Sequence, residues 1–416
     1  MMRWLALVLA LASPVSAQEF TTLKGHGGPI MGIAVSPEGR VATASFDNSV
    51  GLWDSSEPQW LEGHEAAVNT VIFGPAGVIS GADDFTVRGW PEGQIIAQHR
   101  GKVTSLALQG GALASGSWDG TIHLTSKTGV QVLNARDGVN AVAFGEGALF
   151  AGTSAGALMR YADGAALPLV QHGFGINELI VTSEWIAYGA VDGGTRIIDH
   201  DGAEIADVTL DRRPILAMAY HAATHQLAVG DGQGYIMMLD TRDWQISRDF
   251  RATRQGPVWA LAFSPDGQTI WAGGLDDVVY GWPVEALDAF TPGISGDRSF
   301  LRDADTMSNG ERQFMRKCSI CHALTPGPSR KAGPTLHGVF GRAAATVPGY
   351  IYSDTLKGAG IVWTEATINA LFDQGPDHYI PGSKMPMQVI TGAQDRADLL
   401  SWLKSATSAH TEEGDK

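Results

Sequence analysis

The chain has 416 residues, a formal net charge of −15, and 44% hydrophobic against 18% charged residues. That length exceeds one ordinary core and predicts two or three domains, while the composition excludes a disordered chain. The acidity excludes a nucleic-acid binder, because nothing supplies the Lys/Arg surface that phosphates need.

At the N-terminus, Arg3 precedes a short apolar stretch, Trp4 to Ala12, and Val15-Ser16-Ala17 offers a small-residue cleavage site. Residues 1–17 read as a secretory signal peptide, with a mature chain from about Gln18. An uncleaved anchor is the alternative, although the apolar run is too short to span a bilayer comfortably. With no other run of 18 apolar residues, the expectation is a periplasmic protein without a transmembrane segment in its mature chain.

Residues 18–287 repeat. The first unit reads Gly25-His26, Ile33-Ala34-Val35, Ser36-Pro37-Glu38-Gly39, Ala44-Ser45-Phe46-Asp47 and Leu52-Trp53-Asp54. The second echoes it with Gly63-His64, Val71-Ile72-Phe73, Ser80-Gly81, Asp84 and Trp90, and the last with Ala260 to Gly267, Asp276 and Trp282. Anchors six residues after the turn aspartate fall at Trp53, Trp90, Thr125, Tyr161, Ile198, Leu239 and Trp282. Alternating strands broken by Gly, Asp and Pro turns fill each unit. This pattern resembles the WD-repeat family, which implies an all-β propeller of seven blades with about four strands each. In that family a histidine, a Ser/Thr, the turn aspartate and the tryptophan form a buried hydrogen-bond chain. His26, Ser45, Asp47 and Trp53 match it in the first repeat; His64, Ser80, Asp84 and Trp90 match it in the second. Ala135, Ala155 and Arg254 depart from it. These His/Asp sets are read as staples within blades, not as metal or catalytic sites.

Residues 288–307, rich in Asp, Gly, Ser and Pro without a sustained period, read as a linker. A helical pattern follows, capped by Ser308 or Asn309, with Gly310, Phe314 and Met315 on one face. It runs into Cys318-Ser319-Ile320-Cys321-His322, the C-x-x-C-H signature of haem c attachment, in which two thiols add to the haem vinyl groups and the histidine ligates iron. A redox C-x-x-C or half a zinc site are the competing readings. No second cysteine pair exists for zinc.

Downstream, Gly333-Pro334-Thr335-Leu336-His337-Gly338, Val339-Phe340-Gly341-Arg342, Pro348 to Asp354, Gly360-Ile361-Val362-Trp363 and Tyr379-Ile380-Pro381-Gly382-Ser383-Lys384-Met385 follow in order. With the pentapeptide, they resemble class I cytochromes c of the mitochondrial and bacterial short-chain type over residues 308–405. The resemblance implies an all-α domain with one covalently attached haem c. Cys318 and Cys321 would carry the thioethers. His322 and Met385 would be the axial metal ligands, with Met387 left to packing. Pro334 would accept a hydrogen bond from His322, while Arg342, Tyr352 and Trp363 would tie down a haem propionate. Phe372 and Leu356 stand where the family often has a tyrosine and an asparagine, which implies a drier cavity. His337 and His378 are expected at the surface. Ala397 to Leu403 would form the terminal helix, with Leu399 and Trp402 against Gly310 and Phe314. Residues 406–416 are expected to be a disordered tail.

Charge divides between the parts: the cytochrome-like segment has about three more Lys/Arg than Asp/Glu, and the region before it about seventeen more Asp/Glu than Lys/Arg. The function expected is a mono-haem carrier of single electrons, with the propeller as docking platform for a respiratory oxidase, a reductase or a periplasmic dehydrogenase. A redox enzyme with a substrate or second cofactor on the propeller, and a redox-dependent scaffold or sensor, are the alternatives.

Overall fold

A computed structural model of the chain describes residues 21–289, apart from 146, 213, 254 and 255, and residues 306–407. The expected signal peptide, most of the expected linker, nearly all of the expected tail, and Arg254 lie outside the described residues.

Seven four-stranded antiparallel sheets form a ring. Blade 1 holds strands Ile30–Val35, Val41–Ser45, Ser49–Trp53 and Pro58–Glu62. Blades 2 to 6 follow between Val68 and Arg251. Blade 7 is completed from both ends of the ring: Thr21–Lys24 pairs with Val278–Pro283, Leu23 opposite Val279. This closure ties the first strand of the ring to the last, so that blade 7 is held together by both ends of the propeller. The seven anchors fall in or directly after the third strand of each blade.

A four-stranded sheet this small cannot bury both faces alone, so the core lies between blades. Separate apolar clusters join each neighbouring pair. One gathers Leu61, Val68, Val71 and Trp90 between blades 1 and 2; another gathers Leu23, Ile30, Trp53 and Val279 between blades 7 and 1. Close approach is set by a glycine in the second strand of six blades. A Cβ on Gly81, Gly152 or Gly189 would stand 2.5, 2.6 and 2.4 Å from Val103, Ile176 and Ile215 of the following blade. The branched side chain thus fills the space a Cβ would take. Hydrogen bonds cross the same seams: Asn69, Asn140 and Asn177 each donate to a backbone carbonyl of the next blade, at Val103, Ile176 and Ile215.

In blade 1, Trp53 Nε1 donates to Thr43 Oγ1 at 2.9 Å; Thr43 meets His26 Nε2 at 2.7 Å, and His26 Nδ1 meets Asp47 Oδ2 at 2.9 Å. The hydroxyl of this chain is therefore Thr43, not Ser45, whose Oγ bonds the Gly28 carbonyl. Thr43 and Ser45, two residues apart, point to the same face of the strand, and it is Thr43 that lies within reach of both His26 and Trp53. Blade 2 matches its expectation, with His64, Ser80, Asp84 and Trp90 linked at 2.8–2.9 Å. The departures at Ala135 and Ala155 leave blade 4 without the chain, yet with the same strand order.

The C-terminal part is helical. Helix α1, Asn309–Lys317, is capped by Ser308, whose hydroxyl accepts from Glu311 N. Helices α2 (Asp354–Gly358), α3 (Glu365–Gln374) and α4 (Pro376–Tyr379) precede α5, Ala393–Ala406. The terminal helix thus starts four residues earlier than its sequence suggests. Helices α1 and α5 touch at Gly310, where a Cβ would lie 2.1 Å from the Asp398 carbonyl and 2.6 Å from Trp402 Cβ. Phe314 packs on Trp402 with ring centroids 4.9 Å apart, beside fully buried Leu399.

Candidate cofactor site

Helix α1 ends at Lys317, so the C-x-x-C-H pentapeptide begins at its C-cap rather than within the helix. The chain still winds tightly there: His322 N donates to the Cys318 carbonyl at 2.9 Å and Cys321 N to the same oxygen at 3.0 Å. This turn keeps both thiols and the imidazole on one side, facing a single cavity. Cys318, Cys321 and His322 line it from one wall and Met385 from another, with Leu336, Val339, Ile368 and Phe372 supplying apolar surface.

His322 Nδ1 donates to the Pro334 carbonyl at 2.7 Å. That bond fixes the tautomer and leaves Nε2 as the nitrogen available to a metal. The approach depends on Gly333, where a Cβ would stand 2.5 Å from the imidazole. Burial pulls the His322 pKa down, against the opposing pull of the Pro334 carbonyl; the ring is neutral, as ligation requires. Burial pushes Cys318 up to about 12 and Cys321 up to about 11. A redox dithiol needs a depressed thiol pKa, so this pair does not suit the competing C-x-x-C reading. Among the described residues, no group of three or more His, Cys, Asp or Glu side chains is placed to hold a metal ion.

Arg342, Tyr352 and Trp363 all line the cavity. Two guanidinium nitrogens of Arg342 donate to the His337 and Thr335 carbonyls at 2.7 Å, and the Tyr352 hydroxyl accepts from Val347 N at 3.2 Å. These bonds hold the two polar side chains at the rim with capacity for a further acceptor. Phe372 and Leu356 face the same space. Met387, by contrast, is 51% exposed, and neither His337 nor His378 lines the cavity. A deep apolar slot with a thiol pair, a neutral imidazole and a thioether on its walls has the donor set that fits an iron porphyrin.

The sequence reading missed two histidines of the propeller. His99 meets Ser115 Oγ at 2.8 Å in blade 3, and His172 meets Asp192 at 3.1 Å in blade 5. Neither follows a glycine, so the Gly-His signature passes over both. Their twenty-residue spacing to a turn aspartate was the available signal.

The cytochrome c family matches residues 307–407. The WD domain, G-beta repeat, matches 17–54, 56–91, 92–126 and 244–282. Cytochrome c of Sesamum indicum is 42% identical over 104 residues, covering 24% of this chain and 91% of the relative. That of Gossypium barbadense is 43% identical over 101 residues, covering 24% and 88%. The propeller superposes on the WD40 β-propeller domain of Doa1 with a TM-score of 0.58 at 19% identity, covering 63% of this chain and 96% of that one. The computationally designed protein Ika8 gives 0.51 at 22% identity, covering 64% and 100%. Membership implies haem. Through its C-terminal domain the chain belongs to the cytochrome c family, and it carries that domain on a seven-bladed WD-repeat propeller.

Proposed function

We propose that the protein is a periplasmic carrier of single electrons, with one haem c covalently attached at Cys318 and Cys321 and ligated by His322 and Met385. The observation that carries the reading is the convergence of these four side chains on one apolar cavity. When bound, haem supplies a one-electron iron couple. His322 is oriented by Pro334, which raises its basicity as a ligand. Met385 offers a thioether, which favours the reduced metal relative to a second imidazole. Phe372 and Leu356 exclude water, and Arg342, Tyr352 and Trp363 lower the cost of burying a propionate.

The location rests on the leader-like residues 1–17 and on thioether attachment, which needs free thiols and haem together outside the cytoplasm. The propeller serves as the platform for redox proteins. Exposed Trp118, Phe174 and Val191 stand on one rim of the ring, at turns between strands, and exposed apolar side chains grouped in this way, two of them aromatic, mark protein contacts.

A pyridine-haemochrome titration of the purified mature protein, beside Met385→Ala, tests the proposal. One c-type haem per chain, with a thioether-to-iron absorption band lost in the variant, is expected. More than one cofactor, or iron that binds small ligands freely in the wild type, would move the reading toward an enzyme.

A further inference from the structure

The mouth of the cavity is completed by the propeller. Phe46, Glu65, Ala66 and Asp83 of blades 1 and 2 line it together with His322 and Met385. All four come from turns and links on one rim of the ring, where the first strand of each blade begins.

Two cytochrome loops make the contact, and they are the loops that position His322 and Met385, the side chains that would ligate the metal. Before Gly333-Pro334, the Arg330 guanidinium donates to Glu62 Oε1 at 2.6 Å and lies 3.9 Å above the Trp60 ring. Its neighbour Lys331 donates to the Gly27 carbonyl at 3.2 Å. Directly before Met385, Lys384 donates to Glu65 Oε2 at 2.9 Å. Shape agrees with charge: a Cβ on Gly27 would stand 2.2 Å from the Arg330 carbonyl, so the backbones meet where blade 1 has no side chain. The cations belong to the segment with a Lys/Arg excess and the carboxylates to the strongly acidic one.

Both carboxylates remain open to solvent, Glu62 by 64% and Glu65 by 57%. Ion pairs this exposed are weak and screened by salt, with a Debye length of about 10 Å at 0.1 M. Such a contact favours one arrangement without making it permanent.

We propose that this rim of blades 1 and 2 is a docking surface for the chain's own cytochrome. The Glu62–Arg330 and Glu65–Lys384 pairs form a latch that covers the cofactor cavity and opens when salt, or an acidic partner, competes for Arg330 and Lys384. The kinetic consequence rests on the electron-carrier reading; the latch itself does not.

The test uses the full-length, haem-loaded protein and the double variant Glu62→Lys/Glu65→Lys, whose propeller melting transition is first matched to wild type. Small-angle X-ray scattering at low and high salt reads the separation of the domains. Reduction by flavodoxin, a bulky acidic protein, and by dithionite, a small reagent, reads access to the cofactor. Wild type is expected to be compact at low salt and to expand as salt is added, with the variant expanded throughout. Flavodoxin should reduce the variant about tenfold faster than wild type at low salt, while dithionite rates stay within about twofold. Identical scattering for both proteins at both salts, or equal flavodoxin rates, overturns the latch. A haem that neither reagent reduces overturns the electron-carrier reading, while scattering still decides the latch.

Discussion

Propeller and cytochrome solve the same packing problem with opposite resources. Each blade fills its faces with its neighbours, so the propeller core is made of many small, similar seams, each with its own apolar cluster. The cytochrome has one core, and much of it faces a shared cavity: Val339, Ile368 and Phe372 belong both to the apolar cluster and to the cavity wall. Redundancy therefore protects the propeller against the loss of any one element. Blade 4 lacks both the histidine and the aspartate of the polar chain and still pairs its strands in the common order. The cytochrome has no such reserve, and its fold should depend on its cofactor.

The largest effect follows directly. In Cys318→Ala/Cys321→Ala, covalent haem should be lost and the cytochrome's calorimetric unfolding transition with it, while the propeller transition stays in place. A single unchanged cytochrome transition without haem would mean that the apolar walls close on themselves. Next comes the contact where both domains use the same device, a glycine that admits a neighbour. In Gly310→Leu the new side chain meets the Asp398 carbonyl and Trp402. Overpacking of this kind costs about 3 kcal/mol, and should lower the cytochrome transition by about 10 °C or more. A comparable insertion at Gly189, against Ile215, should disturb one seam among seven and shift the propeller transition less.

How much of this was legible in the sequence follows from what fixes each feature. The cavity residues were readable because they stand in motifs that resemble those of the cytochrome c family, and the structure gathers Cys318, Cys321, His322, Pro334 and Met385 around one cavity. The start of α5 was not readable, because Gly392 provides no side-chain cap. In the propeller, the third strands were readable even at Ile198 and Leu239, where no tryptophan remains but a large apolar side chain is still buried. The hydroxyl at Thr43 was misplaced to Ser45 because both are buried on one strand, and only pairing shows which one faces His26. The contact between domains was invisible beyond the charge asymmetry. Arg330 and Glu62 are 268 residues apart, and no local pattern joins them.

The staple of blade 1 offers a test of intermediate size. Thr43→Val keeps the shape but removes the oxygen shared by His26 and Trp53, leaving two buried polar groups without that partner. A loss of about 2 kcal/mol in the propeller transition is expected, with Ser45→Ala smaller. The reverse order would return the chain to Ser45. Asp47 belongs to the same set. Burial opposes its ionisation, but bonds from His26, Ser49 and Gly27 outweigh this and hold its carboxyl below the ordinary value. Its contribution is present at neutral pH and is lost only as the pH falls through that lowered value.

The smallest effect concerns a histidine with the opposite protonation logic, in a blade without the tryptophan. His99 is stacked on His123 at 3.8 Å, and its side chain is fully buried. Burial first, and the His123 ring second, push its pKa from 6.5 down to about 4, against the pull of Asp119. The unfolded chain therefore binds a proton near pH 6.5 that the folded blade refuses until about 4. Stability from this source is complete above 6.5 and falls with pH between those values. Between pH 7 and 5.5 the loss is about 1 kcal/mol. His99→Asn should weaken blade 3 at every pH, because the bond to Ser115 is lost, but should flatten the slope of its melting temperature over that interval. A parallel slope in the variant would assign the acid sensitivity to another group and leave His99 a staple without a titration.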